Sequence, residues 1–195
     1  MYGFAKRTNW WEKEEHFMLC GIDEAGRGCL AGPLVVAGVV LHETVEGLDD
    51  SKKLTEKKRE KLFDEIVTKS AYEIVFTDNK TVDEIGLSKA IAQSIEKIID
   101  TLNPQMTIMD GNTNFGILGV QAVIKADSKV PEVSAASILA KVSRDRYMVK
   151  MDEKYPQYGF KGHKGYGTKS HIEAIREYGR SDLHRFSFHV RGLDD

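Results

Sequence analysis

In GIDEAGRG, residues 21–28, two adjacent acids close an apolar stretch. Carboxylates beside a buried strand must be paired, hydrated or metal-bound, because an unpaired buried charge is costly. Asp23 and Glu24 are followed by Gly26, Arg27 and Gly28, whose glycines leave the backbone bare for a close approach. Two more acids follow apolar runs: Asp110 after MTIM, and Asp127 shortly after GVQAVI. Strand ends at one edge of a sheet converge, so the four carboxylates could share one site. Like charges that close raise each other's pKa, and divalent cations resolve the conflict. Hard oxygen donors without a Cys/His cluster select Mg²⁺ or Mn²⁺ over Zn²⁺. Two such ions about 4 Å apart activate a water and stabilise the leaving oxygen of a phosphodiester. The bland alternative makes each acid a turn former or a helix cap.

The elements that must position these acids are legible in the apolar pattern. MLCGID, PLVVAGVVL, YEIVFTD, MTIMD and GVQAVI read as strands, with Tyr72, Ile74 and Phe76 on one side of the third. Thr55 caps a predicted helix that buries Leu62, Phe63, Ile66 and Val67. TVDE at 81–84 has the form of a capping box opening a helix with an Ile91, Ile95, Ile98, Leu102 stripe. SAASILAKVSRDRYMVKMDEKY predicts a long helix capped by Ser134, and GYGTKSHIEAIREYG one capped by Thr168 and closed by Gly179. Strands and helices mix without a strict βαβ repeat. The class is α/β with a mixed sheet and a more helical C-terminal part.

Composition bounds the answer. Hydrophobic residues make up 41%, enough for a packed core. No apolar run is long enough to span a bilayer, and the N-terminus lacks a secretion signal, so a cytoplasmic protein without membrane contact is expected. Cys20 and Cys29 have no metal-ligand spacing and read as reduced thiols. Net charge is −2, yet residues 141–195 carry 12 basic and 8 acidic side chains, a basic part on an acidic body. Such asymmetry suits a polyanion-binding face or an ordinary solvated surface.

GIDEAGRGCLAGPLVVAGVVL, LDDSKKLT, MDGN, IKADSKVPEVSAASILAKVSRDR and GYGTKSH occur in this order. Together they closely resemble prokaryotic ribonuclease HII, the type 2 ribonuclease H, from about residue 18 to about residue 189. The resemblance implies a ribonuclease H-like fold, a mixed five-stranded sheet flanked by helices with a helical C-terminal region. It divides the chain into an N-terminal segment (1–17), a catalytic core (18–155) and a C-terminal region (156–195) completing the substrate groove. It implies a metal-dependent endonuclease that cuts the RNA strand of RNA–DNA hybrids and nicks 5′ of ribonucleotides embedded in duplex DNA, with two Mg²⁺ or Mn²⁺ ions bound alongside substrate. The family's acidic positions fall on Asp23, Glu24, Asp110 and Asp127, its Gly-Arg-Gly on Gly26, Arg27 and Gly28, and its junction-sensing tyrosine on Tyr166. The N-terminal 17 residues are too short for the extra domain of ribonuclease HIII. RFSFHVRGLDD contains no clear sliding-clamp motif, and a monomer is the default expectation.

Bare glycine backbone lets peptide groups reach the 2′-OH that separates RNA from DNA. Arg27 either reaches the phosphodiester backbone or pairs with a nearby carboxylate. Ser51, Lys52 and Lys53 are expected at backbone phosphates by resemblance, and read alone form a solvated turn. Lys141, Ser143, Arg144 and Arg146 share a helix, some touching phosphates and others forming intrahelical pairs such as Arg144 with Asp145. Lys161, His163, Lys164 and Lys169 surround Tyr166, a mixture of basic and aromatic residues that suits a nucleic-acid groove. The glycines at 165 and 167 are expected to leave room for substrate. His163, read as a surface residue, carries no catalytic role, His171 reads as a solvent-exposed helix residue, Cys29 neighbours the site as a small packed side chain, and Trp10 and Trp11 dock the N-terminal segment. Competing readings are a non-catalytic hybrid-binding module and a nuclease of the same fold acting on plain DNA.

Overall fold

The computed structural model describes residues 17–190 and 193–194; Trp10 and Trp11 lie outside them. Five strands form one sheet in the order β3-β2-β1-β4-β5. They are β1 (Leu19–Ala25), β2 (Leu34–Leu41), β3 (Ser70–Thr77), β4 (Met106–Asp110) and β5 (Val120–Val123). β1 runs antiparallel to β2, and β2 to β3, whereas β1 is parallel to β4 and β4 to β5.

The apolar run in β2 is unbroken because both faces of the sheet are covered. Val35, Ala37 and Val39 point to one face, against α1 (Glu56–Lys69) and α4 (Pro131–Lys154). Leu34, Val36 and Val40 point to the other, where α3 (Leu87–Leu102) buries Ile91, Ile95 and Ile98. Each such isoleucine, withdrawn from water, stabilises the fold by about 1.5–3 kcal/mol. Tyr72, Ile74 and Phe76 do share a side of β3, but Tyr72 and Phe76 are exposed because β3 is an edge strand.

Two helix starts differ from expectation. The side chain of Asp78, not the TVDE segment, caps α2 (Asn79–Ile85), accepting from Thr81 N–H at 2.8 Å; α3 then begins after Gly86. α4 starts three residues before Ser134, with Pro131 in its first turn, where a missing N–H costs nothing. Ser134 Oγ–H instead donates back to the carbonyl of Asp127. Thr55 and Thr168 cap α1 and α6 (Lys169–Tyr178) as predicted, and Gly179 closes α6. With the single-turn α5 (Phe160–His163), α6 packs a third core around Phe160, Tyr158 and Ile175.

Candidate active site

Parallel pairing sets the floor of the site. Ile22 lies opposite Met109, so the next residues, Asp23 and Asp110, stand side by side at the C-terminal end of this parallel pairing, Asp23 still paired with Ala37 of β2 and Asp110 with Val123 of β5. Neighbouring strands lie about 4.8 Å apart, which keeps these carboxylates close. β5 ends beside Asp110, and the chain turns through Lys125, in the left-handed region at φ 59°, into a short 3-10 turn holding Asp127. Asp110 Oδ1 accepts the Ala126 N–H at 2.8 Å, tying the second acid to the turn that holds the last.

A cleft of about 500 Å³ opens above this floor, lined by Asp23, Glu24 and Asp110, with Lys52, Lys141 and Tyr166 among its walls. Burial, then the charge of Glu24, pushes Asp23 up to about 7; a hydrogen bond from Ser137 and the Glu24 N–H at 2.8 Å offset only part of this. Glu24 is also raised by burial, and the Arg27 guanidinium, 3.5 Å away, works against that rise. Asp127 is raised by burial and by Asp110. It is buried next to the cleft rather than lining it.

Among the described residues, no three His, Cys, Asp or Glu side chains stand in ready geometry for an ion. The fit to a divalent cation therefore rests on charge and donor type: buried carboxylate oxygens facing one another, with Arg27 and Lys52 as the nearby cations. Asp23, Glu24, Asp110 and Asp127 are the residues that would hold it.

The glycines divide their labour. Gly26 sits at φ +92°, and a Cβ there would meet Arg144 Nε at 2.1 Å and Pro33 O at 2.6 Å. Its missing side chain accommodates the protein's own interior. Gly28 has open space where a Cβ would be and lines the cleft, so the exposed backbone belongs to Gly28. Gly165 corrects the expectation in the same way: at φ +85°, its Cβ would lie 2.4 Å from Ala31 O.

Arg144 is the clearest correction. Expected at a phosphate, it is completely buried. Its Nε donates to Pro33 O at 2.9 Å, Nη1 to Lys164 O at 2.8 Å and Nη2 to Ala31 O at 2.9 Å. It therefore joins the loop after Gly28 to the loop before Tyr166. Asp145 pairs with Lys141, at 2.8 Å, and not with Arg144. Ser143 is half-buried on α4 and does not line the cleft. Lys164 Nζ turns to Lys161 O, and Lys169 stands exposed beside Glu173, so neither lines the cleft. Ser51 does line it, but its buried hydroxyl bonds that of Ser137 at 2.8 Å.

Tyr166 presents its ring to the cleft with Lys141 Nζ 5.5 Å from the ring centroid. Burial and the neighbouring Cys29 thiol push its hydroxyl up to about 12, so it stays protonated at neutral pH. Arg27 lies 5.8 Å from the Phe115 ring. Two contributors, Ser137 and Arg185, were not anticipated. Ser137 stands one helical turn before Lys141, a spacing that could have revealed it. Cys29 supports Tyr166, and Arg185 Nη1 donates to Arg27 O at 3.1 Å across 158 residues. Cys29 was expected beside the site as a packed side chain, whereas Arg185 carries no local sequence signal.

The mixed sheet with acids at the C-terminal ends of its parallel strands defines a ribonuclease H-like nuclease fold. The ribonuclease HII family model matches residues 20–191. Ribonuclease HII of Aliarcobacter butzleri is 62% identical over 179 residues, covering 91% of this chain and 93% of that protein. The ribonuclease HII in the PCNA complex from Archaeoglobus fulgidus superposes with a TM-score of 0.78 at 32% identity, covering 89% of this chain and 96% of that one. Ribonuclease H2 from Pyrococcus horikoshii gives 0.74 at 32% identity, covering 87% and 93%. The chain belongs to the ribonuclease HII family, and is a ribonuclease H, a metal-dependent endoribonuclease.

Proposed function

We propose that this enzyme hydrolyses the RNA strand of RNA–DNA hybrids and nicks on the 5′ side of ribonucleotides embedded in duplex DNA, leaving 5′-phosphate and 3′-hydroxyl ends. The observation that carries the reading is the convergence of Asp23, Glu24 and Asp110 under a cleft walled by Gly28 and Tyr166. When bound, two Mg²⁺ or Mn²⁺ ions supply an activated water and neutralise the leaving oxygen. Asp23, Glu24, Asp110 and Asp127 hold them. The open backbone at Gly28 meets the 2′-OH, the group that marks RNA. Lys52 and Lys141 take backbone phosphates, as charged rims of nucleic-acid grooves do. Arg27 steadies the loop through Glu24 and is exposed enough to reach a phosphate. Tyr166 packs on the deoxyribose following the ribonucleotide, where a 2′-OH would crowd the ring.

Residues 18–155 form the catalytic core and 156–195 complete the groove in this reading, supported by Leu30 N–H donating to Gly165 O at 2.9 Å. No helix among the described residues is long and apolar enough to cross a membrane. Two buried, unpaired cysteines support work in the reducing cytoplasm. The test is cleavage of a duplex bearing one ribonucleotide, with Mg²⁺, Mn²⁺ or chelator. Metal-dependent nicking 5′ of the ribonucleotide is expected. Equal cutting of an all-DNA duplex, or binding without cleavage, would replace this reading with one of its competitors.

A further inference from the structure

Behind Tyr166, three histidines fill the space between α5, α6 and the chain that follows. His171 and His184 are fully buried, and His163 is half-buried. The His163 and His171 rings stack with centroids 4.2 Å apart and planes 16° from parallel. His171 Nε2 and His184 Nε2 lie 3.1 Å apart.

The neighbours of these rings dictate their protons. His171 Nδ1 is 2.9 Å from the Tyr166 carbonyl, which can only accept, so Nδ1 carries the hydrogen. His171 Nε2 is then the acceptor, and His184 Nε2–H the donor. His184 Nδ1 must accept, and it receives the Ser181 N–H at 2.9 Å and the Ser181 hydroxyl at 2.8 Å. His163 Nε2–H donates to Tyr158 O at 2.8 Å while its Nδ1 accepts the Gly165 N–H at 3.1 Å. Every ring nitrogen has one partner type and each ring is neutral. Donation runs one way, from Ser181 through His184 and His171 to the carbonyl of Tyr166.

That carbonyl also accepts the Thr168 N–H at 2.8 Å, and the Tyr166 N–H donates to His163 O at 2.9 Å. The Tyr166 peptide is thus held from both sides, while its ring remains 41% exposed at the cleft. An apolar triad would fill the same volume without directing a hydrogen at that carbonyl.

We propose that His163, His171 and His184 form a positioning relay that sets the main chain of Tyr166, and with it the selectivity for a ribonucleotide–deoxyribonucleotide junction. The inference rests on Tyr166 being the residue that reads the sugar. These histidines touch no substrate; they act through Tyr166. A displacement of about 1 Å in a positioning group can cost on the order of 100-fold in rate.

The experiment compares full-length wild type with His171→Phe, His171→Asn, His184→Gln and Tyr166→Ala. kcat/KM is measured on a duplex with one embedded ribonucleotide and on a continuous hybrid, and the ratio of the two is the readout. His171→Phe should lower the ratio about tenfold, the worth of one hydrogen bond of about 1.4 kcal/mol. His171→Asn, which keeps a donor at the Nδ1 position, should restore it to within about threefold. His184→Gln keeps the donor toward His171 and should retain most of the ratio. ¹⁵N spectra of the wild type should show His171 as the Nδ1–H tautomer and His184 as Nε2–H, a readout independent of whether a variant folds. If Tyr166→Ala lowers the ratio and His171→Phe does not, the histidines are packing and the relay is overturned with the Tyr166 reading intact. Equal losses in folded Phe and Asn variants, or His171 found as Nε2–H, overturn it too. An unchanged ratio in Tyr166→Ala instead removes the reading beneath it.

Discussion

Asp23 and Asp110 are the first residues past the Ile22–Met109 pair on neighbouring parallel strands, so each carboxylate lies in the field of the other. Replacing either by Asn keeps shape and removes a charge on which cation binding depends in the proposed function. Cleavage should fall on the order of 1000-fold or more, the loss of several kcal/mol of transition-state stabilisation. Without metal, Asp23→Asn should melt higher than wild type by about 5 °C, because a buried charge held against its neighbours has been removed. Mg²⁺ should raise the wild-type melting temperature more than that of the variant. Near wild-type cleavage by Asp110→Asn would remove that residue from the site.

Arg144 should behave as a structural residue. Arg144→Met leaves the carbonyls of Ala31, Pro33 and Lys164 without their donor. The cost should be about 3 kcal/mol, a fall of about 10 °C in melting temperature. The salt dependence of hybrid binding should keep its slope in this variant. Lys52→Ala and Lys141→Ala should each flatten that slope by about one unit. A flattened slope for Arg144→Met with no loss of stability would return it to the phosphate-binding set.

The two glycines flanking Arg27 should separate stability from activity. Gly26→Ala puts a methyl into Arg144 at a left-handed φ, so the fold should lose about 2 kcal/mol or more. Gly28→Ala meets no protein atom and should leave melting unchanged while cleavage falls about tenfold or more. Thermal melts beside single-turnover rates distinguish the two; matching profiles would refute the division.

Much of the site was legible because its residues announce themselves locally. An apolar run that ends in an acid marks both a strand and its exit, and this found Asp23, Asp110 and the turn to Asp127. The helix starts at α2 and α4 were misread because Ser134 has the chemistry of a cap and TVDE the spacing of a box, while Asp78 caps α2 and α4 opens at Pro131 with no side-chain cap. Arg144 was misassigned for a different reason. Two of its carbonyl partners lie 111 and 113 residues earlier, where no helical pattern can report them. The histidine cluster is similarly silent, since His163 and His171 read as surface residues until the fold packs them with His184 behind Tyr166.

Acidity should act on those histidines first by way of the fold. Burial first, then the crowding of one ring by the next and, for His184, the charge of Arg180, lowers His171 and His184 to about 4. An unfolded histidine titrates near 6.5, so as pH falls below about 6.5 the unfolded chain takes up protons that the fold refuses. Stability contributed by the neutral rings is therefore complete above about 6.5 and is lost as pH falls toward 4. At pH 5 the loss should be about 1–2 kcal/mol per histidine. Melting temperatures of wild type and of the His171→Asn, His184→Gln double variant, followed from pH 7.5 to pH 5, should converge as pH drops. Parallel curves would show that the rings are not held neutral by the fold.

Arg185 bonds Arg27 O and Gly32 O, and its own N–H closes on Leu30 O. The loop that begins at Gly26 is thereby fastened by a residue made 158 positions after Arg27. A chain emerging from the ribosome already carries all four acids by residue 127 and has the whole sheet in hand. It lacks the fastening of the loop that lines the cleft until residue 185 has cleared the exit tunnel. The acids are thus made well before the residue that secures the loop beside them, so an unfinished polypeptide has the carboxylates of a nuclease without the finished cleft.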